Sequence, residues 1–587
     1  MAGSVPPHDL PRRRACHRQR PGLQRRPLRH RRRRARRGMA VHDPGGELPE
    51  RGRHLCARVR TRCGRGLARP RRGVAPRAVK SRRGCGPAAK HSPEPICPPR
   101  PCKVYTPWRG RFAVMPRLPR REESAMRSPR FTLIAPLAAV ACLVFSSQVT
   151  SARAQAPSAG DWPQFRGGTA LGLAADAALP LSWDKSPGSK GTVAWRSAIP
   201  GAGWSQPVSV DGRIYLTTAV IPGGRKPKGM SGGVMDLSTM GWGKPPKDPV
   251  QWRILCLDAT DGSLIWSKTV VEQAPKYATH ASNTYATETP CATADGVWAF
   301  FGATGTVVAL DRDGNERWKR EYGPQPITNA FGTGASPVLQ DGKLLVQLYN
   351  DDVGDLHCLD AATGTDLWTA TRTKGASWAT PILWDNGGTA EVVTGGQGSI
   401  VAYALADGSE RWRYGGLDTS FACSLGADAE GVYFGTSSPG SKAPAAAILA
   451  GASGDVSPGK DGGTNASVPW NRTKSGAGMP SPVVVGDLLY FFGNTAVCYD
   501  KRTGEEKYRK RLPGGTQAVG CPIVVGERIY IVNELGKTIV LKTGPDYEVL
   551  AESDLGADGE VFWSTPAISG NSLLIRSSDA VYCIRGE

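Results

Sequence analysis

The chain has 587 residues, 75 of them Lys or Arg against 51 Asp or Glu, for a formal net charge of +24. That charge sits at one end: residues 1–125 hold 35 of the basic and 7 of the acidic side chains, leaving 40 basic against 44 acidic in the rest. The composition of the rest excludes a nucleic-acid binder that works through a basic field, because no excess cation is there to displace counterions.

Residues 1–125 are rich in Arg and Pro and lack a periodic apolar pattern, as expected of a disordered segment or of a reading frame entered too far upstream. Met126 to Arg130 is a short positive stretch, Phe131 to Phe145 an apolar run, and Ala152-Arg-Ala154 a small-x-small site. Together, 126–154 reads as a secretory signal, its apolar part shorter than the roughly 20 residues of a membrane-spanning helix. The expectation is a start at Met126, ordinary cleavage near Ala154 rather than lipidation at Cys142, and a soluble periplasmic or secreted product with no membrane span. Seven cysteines follow the cleavage site: Cys256, Cys291, Cys358, Cys423, Cys498, Cys521 and Cys583. An odd number without Cys-x-x-Cys pairs does not suggest a full disulfide framework or a metal site, and Cys256, Cys358, Cys498 and Cys583, at like places in their repeats, read as small buried core residues.

The segment 155–192 is an N-terminal extension that opens with Asp161-Trp-Pro-Gln-Phe-Arg-Gly167 and continues as Gly- and Ala-rich loop. Val193 to Ile199 is the first strand. From Trp204 a unit recurs: a small or polar residue, usually followed by Pro, then a few apolar residues, a Gly turn and a β-rich run. Its eight copies include Trp204-Ser-Gln-Pro207, Gly334-Ala-Ser-Pro337, Trp378-Ala-Thr-Pro381, Phe421-Ala-Cys-Ser424 and Trp563-Ser-Thr-Pro566. A second element, strand, tight turn, strand, recurs at Leu255 to Trp266, Leu310 to Trp318, Leu359 to Trp368, Ala406 to Trp412 and Tyr499 to Tyr508. The prolines at 290, 337 and 381 lie 47 and 44 residues apart, and those at 482, 522 and 566 lie 40 and 44 apart.

This period, without helical patterning, predicts an all-β, eight-bladed β-propeller of four-stranded antiparallel blades over 193–587. The last unit supplies three strands, so the N-terminal strand is expected to close the ring as its outer strand, with Trp195 where other blades carry theirs. Two insertions, Ile221 to Gln251 in blade 1 and Ser437 to Pro469 in blade 5, are expected on one loop-rich face with the strand D to strand A connections. Function is sought on that face.

The hairpins Asp360-Ala-Ala-Thr-Gly364-Thr-Asp-Leu-Trp368 and Asp258-Ala-Thr-Asp-Gly262-Ser-Leu-Ile-Trp266 resemble the Asp-x-x-Thr-Gly-x-x-x-Trp signature of the pyrroloquinoline quinone (PQQ) repeat superfamily. The likeness runs over residues 161–587, and Asp161 to Gly167 looks like the opening of exported PQQ-like propellers. The resemblance implies that each Trp packs on the neighbouring blade beside its Gly. It also implies one of two functional classes. In quinoprotein alcohol dehydrogenases PQQ lies at the axis with Ca²⁺, a general-base Asp and a disulfide between adjacent cysteines, and this chain has no Cys-Cys pair. In propellers resembling the outer-membrane assembly factor BamB the ring binds protein partners without catalysis.

The leading expectation is a monomeric, non-catalytic binding or scaffold module without a cofactor, for a protein or extracellular polymer. The alternative is a PQQ- and Ca²⁺-dependent dehydrogenase of alcohols or sugars. Candidate ligand-binding residues are His280, Asn283, Tyr285 and Glu288 from one connection, Asn350, Asp351 and Asp352 from a B–C loop, and Trp378 at a strand entrance. Converging oxygens of this kind suit Ca²⁺, while Asn and Asp equally serve as turn formers. His280 has no nucleophile beside it in sequence to mark it as a base. Gly395-Gly-Gln-Gly398 is not a phosphate loop, since no helix follows it.

Overall fold

The computed structural model describes residues 160–586 apart from 175–176, 184–191, 225, 230–243, 419, 437–442, 460–461 and 556–558. The Arg-rich segment, the signal sequence and Cys142 lie outside the described residues. The rest is all-β: eight antiparallel blades arranged as a propeller, with one turn of 3-10 helix at Thr328–Ala330 among the described residues.

Blade 3 shows the unit. Strand A, Val338–Gln340, lies innermost; B, Lys343–Tyr349, and C, Gly354–Asp360, follow; D, Asp366–Thr371, forms the outer edge. The ring closes as expected, with Thr192–Ala198 pairing antiparallel to the last strand, Ala580–Arg585. Trp195 there faces Cys583, as Trp266 faces Cys256, Trp368 faces Cys358 and Tyr508 faces Cys498. A small residue on strand C thus stands opposite the aromatic on strand D. In each of these three regular hairpins the register slips just beyond that pair, and the bulge re-aims the ring toward the next blade. All seven cysteines of the described residues are buried.

The hairpin turn is set by its Asp. Oδ1 of Asp360 accepts the N–H groups of Ala362 (3.0 Å) and Thr363 (2.8 Å), and the chain then needs a left-handed residue, Gly364 at φ +73°. The bare Gly face receives the neighbour's ring: a Cβ on Gly364 would lie 2.7 Å from the Trp318 indole. The same contact joins Trp195 to Gly262, Trp368 to Gly408 and Trp470 to Gly504.

The recurring hydroxyl before the proline has its own role. Around the axis each backbone N–H at this position donates to the next blade's side chain: Gln206 to Thr289 (2.9 Å), Thr289 to Ser336 (3.0 Å), Ser336 to Thr380 (3.0 Å) and Thr380 to Ser424 (2.9 Å). The sequence continues through Ser424 to Ser481 (2.9 Å), Ser481 to the Cys521 sulfur (3.2 Å) and Cys521 to Thr565 (2.9 Å). In blade 5 the aligned residue is Ser424 itself, so Leu425, not Ser424, stands in the place of the proline.

One segment takes a place that sequence did not specify, and one expectation needs correction. The N-terminal extension, read as loop, is built into the ring. Residues 160–174 enter the axis from the face of the A–B turns: Trp162 pairs with Ser209 of blade 1, the Pro163 carbonyl takes Ala292 N–H of blade 2, and Gln164 Oε1 takes Leu339 N–H of blade 3. Leu173–Ala174 then adds a parallel strand inside blade 7. Arg166, wholly buried, donates to the carbonyls of Leu425 (2.9 Å), Pro482 (2.5 Å) and Leu171 (2.8 Å), tying blades 5 and 6 to the same segment. Secondly, most of the blade 5 insertion does not share the loop-rich face. It lies between strand C, Ala445–Leu449, and the short strand D, Asn471–Arg472, on the opposite side of the ring. There Gly454–Asp455 pairs in parallel with Trp412–Arg413 and covers the outer edge of blade 4.

The blade 1 insertion does lie on the loop-rich face. Lys226 Nζ pairs with Asp579 of blade 8 at 2.9 Å, Lys228 N–H donates to Ala281 O (3.0 Å), and a Cβ on Gly229 would stand 2.7 Å from Glu534 of blade 7. The described part of this loop therefore crosses the axial mouth.

Candidate functional site

Four loops converge between blades 2 and 3 on the loop-rich face: the connection that follows strand D of blade 1, Leu264–Gln273, the one that follows strand D of blade 2, Glu316–Glu321, the B–C turn of blade 2 at Ala303, and the B–C loop of blade 3. They enclose a cleft of about 230 Å³ whose walls include Tyr277, Asn283, Tyr285, Ile327, Thr333 and Asp351. Of the residues singled out from sequence, Asn283, Tyr285 and Asp351 line it.

The other candidates build its walls. Asn283 Nδ2 donates to Phe331 O (2.9 Å) while its Oδ1 accepts Tyr285 N–H (2.9 Å), which holds Tyr285 at φ +65°. Tyr285 hydroxyl donates to Tyr277 O at 3.0 Å, and Trp252 meets its ring edge-on. His280 is buried, with Nδ1 2.8 Å from Ser282 Oγ, its backbone N–H on Ala330 O, and its ring 5.2 Å from Phe331. Trp378 Nε1 donates to Gly332 O at 2.6 Å, and its ring meets Phe331 edge-on. Asn350 turns the B–C loop: its Oδ1 accepts the N–H groups of Asp352 (2.8 Å) and Val353 (3.0 Å), and its Nδ2 donates to Gln325 Oε1. Asp352 is exposed and outside the lining.

Glu288 lies inside the wall, 1% exposed, with Oε1 accepting Gly302 N–H at 3.2 Å. Burial pushes its carboxyl up to about 6, and a hydrogen bond from Thr333 pulls the other way. Sequence reading did not reach Tyr277, Gln325, Ile327 or Thr333. They occupy no repeated position, and the only signal was the length of their connections.

The donor set does not fit a hard dication. Ca²⁺ wants six to eight oxygens from several converging groups, whereas Glu288 is one sealed carboxylate and the amide oxygens of Asn283 and Asn350 are taken by backbone N–H groups. Among the described residues no three His, Cys, Asp or Glu side chains are grouped as metal ligands. The side chains of this cleft therefore do not form a ready set of Ca²⁺ ligands. At the seam of blades 8 and 1, Arg576, fully buried, donates to Ser205 O (2.9 Å), and a Cβ on Gly203 would lie 2.4 Å from its guanidinium.

A family model described as outer membrane protein assembly factor BamB matches residues 303–457 and 452–585. The chain is a PQQ-like repeat β-propeller. The matched stretches begin in blade 2 and run to the last strand of this propeller. Similar solved structures include a europium-containing methanol dehydrogenase (12% identity, 72% of this chain and 91% of that chain, TM-score 0.48). BamB from Moraxella catarrhalis is another (17%, 51% and 94%, 0.32), as is the quinohemoprotein alcohol dehydrogenase ADHIIG from Pseudomonas putida HK5 (11%, 73% and 80%, 0.44). At these identities and scores they carry no argument about activity. No curated protein matches the chain. Among the described residues no helix is long and apolar enough to cross a membrane.

Proposed function

We propose that this propeller is an exported, non-catalytic binding module that holds a protein or extracellular polymer on its loop-rich face, at the cleft between blades 2 and 3. One observation carries this reading. Asn283, Asn350, His280 and Glu288, polar side chains that a catalytic or metal site would use, are engaged in holding the walls, and the cleft presents shape and apolar surface beside the single carboxylate of Asp351. Rigid, internally bonded loops reduce the ordering cost of association.

The test is a titration of the purified protein with PQQ and Ca²⁺, followed by absorbance and by dye-linked oxidation of alcohols and sugars. The binding-module reading expects neither saturable uptake nor turnover; saturable PQQ binding with turnover sinks it in favour of the dehydrogenase. A photo-crosslinking residue at Tyr277, tested in the native cell, is expected to give discrete adducts. The same residue at Thr363, on the hairpin face, is expected to give none.

A further inference from the structure

The cleft is small for its position. Sites for drug-sized ligands and cofactors run from about 300 to 1,000 Å³, so about 230 Å³ matches one large side chain better than a whole small molecule. Protein interfaces concentrate their energy in such pockets, each filled by an anchor that is most often Trp, Tyr or Arg.

Two properties of the walls choose among guests. The first is that their polar groups already have partners inside the protein. Tyr277 O accepts the Tyr285 hydroxyl (3.0 Å), Tyr285 O accepts Trp252 Nε1 (2.9 Å), and Gly332 O accepts Trp378 Nε1 (2.6 Å). The carbonyls of Pro326, Ile327 and Ala330 take the N–H groups of Asp351, Ala330 and His280. The side-chain amides of Asn283 and Gln325 are engaged on Phe331 O, Tyr285 N–H, Gly323 O and Asn350. A sugar unit, whose hydroxyls each need a partner once desolvated, finds few here, whereas an apolar guest needs none.

The second property is charge. Lys276 Nζ stands 5.1 Å from the centroid of the Tyr277 ring, and Asp351 lines the cleft. A cationic guest is opposed by the first and an anionic guest by the second, so the walls favour a neutral one and Arg drops out of the three anchors. What remains is aromatic, and the lining suits it: the rings of Tyr277 and Tyr285 offer edges and faces, with Ile327 and Ala303 as aliphatic surface. An ammonium at the wall also attracts the face of a π system. Val353, on the same B–C loop as Asp351, is 37% exposed, so apolar surface continues on the rim where the flanks of an anchor residue would lie.

We infer that the cleft lined by Tyr277, Tyr285 and Ile327 is an anchor pocket for an uncharged aromatic side chain presented by a partner protein. This rests on the binding-module reading and narrows its ligand from a protein or polymer to a protein that offers such a residue.

The probes are Nα-acetyl-phenylalanine amide and its aliphatic counterpart Nα-acetyl-leucine amide, titrated into the purified protein by ligand-observed NMR. Saturable phenylalanine binding is expected, with a dissociation constant on the order of 1 mM. The preference over leucine should be about fivefold, the increment that ring contacts add beyond buried area. Tyr277→Leu, which keeps the carbonyl that Tyr285 uses, should abolish that preference, and Ala303→Phe, which fills the cleft, should abolish binding of both probes. Equal binding of the two probes overturns the inference, and so does a Tyr277→Leu variant that keeps the preference. Absence of phenylalanine binding overturns it too, as does maltotriose occupying the cleft where the aromatic probe does not. Where the Tyr277 crosslink captures a partner but the aromatic probe fails, the anchor assignment falls and the binding module stands. Saturable PQQ binding with turnover removes both.

Discussion

The seam between blades 2 and 3 and the seam between blades 4 and 5 start from the same sequence motif and end differently. At the first, Trp318 lies on Gly364 and its Nε1 donates to Ala361 O at 3.0 Å. At the second, Trp412 finds no glycine turn, because the blade 5 hairpin has been stretched by its insertion. It is instead wholly buried, donates to Glu391 Oε2 at 2.8 Å, meets Trp384 edge-on, and is covered by the added strand Gly454–Asp455. An aromatic at a repeated position is therefore a demand for a partner surface. The neighbouring turn meets it where that turn is tight, and new polar and strand contacts meet it where the turn is lost.

The largest test acts on the hub that both seams share. Arg166→Ala leaves three buried carbonyls without their donor and is expected to cost on the order of 3 kcal/mol or more, read as a lower urea midpoint. A loss below that of the seam variants would show that the rim, not the hub, holds the ring. Gly364→Ala places a methyl against the Trp318 ring at a left-handed φ and is expected to cost about 2–3 kcal/mol. Gly454→Ala, with nothing within 4 Å of the new Cβ, should cost less. Trp412→Phe removes the Nε1 donor from a buried carboxylate already pushed up by burial, for about 1–2 kcal/mol. Adding Glu391→Gln to that variant should recover part of the loss, since a neutral amide is cheaper to bury. The smallest effect is at the cleft. Glu288 binds its proton more tightly folded, near 6, than unfolded, near 4.5, so stability should fall as pH rises through that window, by at most about 2 kcal/mol. Urea midpoints of Glu288→Gln across the window should lack this component.

What was legible in the sequence was whatever repeats. Asp360, Gly364 and Trp368 announce a hairpin because backbone geometry makes the same demand in each blade, and Trp195 announces ring closure for the same reason. Trp470 escaped notice because the insertion separates it from its turn, although it docks on Gly504 as the others dock. Arg166 was unreadable in another way: nothing local marks a guanidinium whose acceptors lie 259 and 316 residues further along. At the candidate site, Asn283, Tyr285 and Asp351 were found because polar residues in long connections invite attention. Ile327 and Thr333 were not, since their relevance arises only where two connections meet.

The threaded N-terminal segment also orders events in time. Its hydrogen-bond partners run from Ser209 in blade 1 to Gly570 in blade 8, so the first part of the folded chain to be synthesised has no complete seat until the last blade exists. Contacts of such sequence separation form late. Folding of this ring should therefore finish at its beginning, with Arg166 docking after the C-terminal strand has paired with Thr192–Ala198. A chain cut short before blade 8 would leave Gly160 and the ring-closing strand Thr192–Ala198 without their partners.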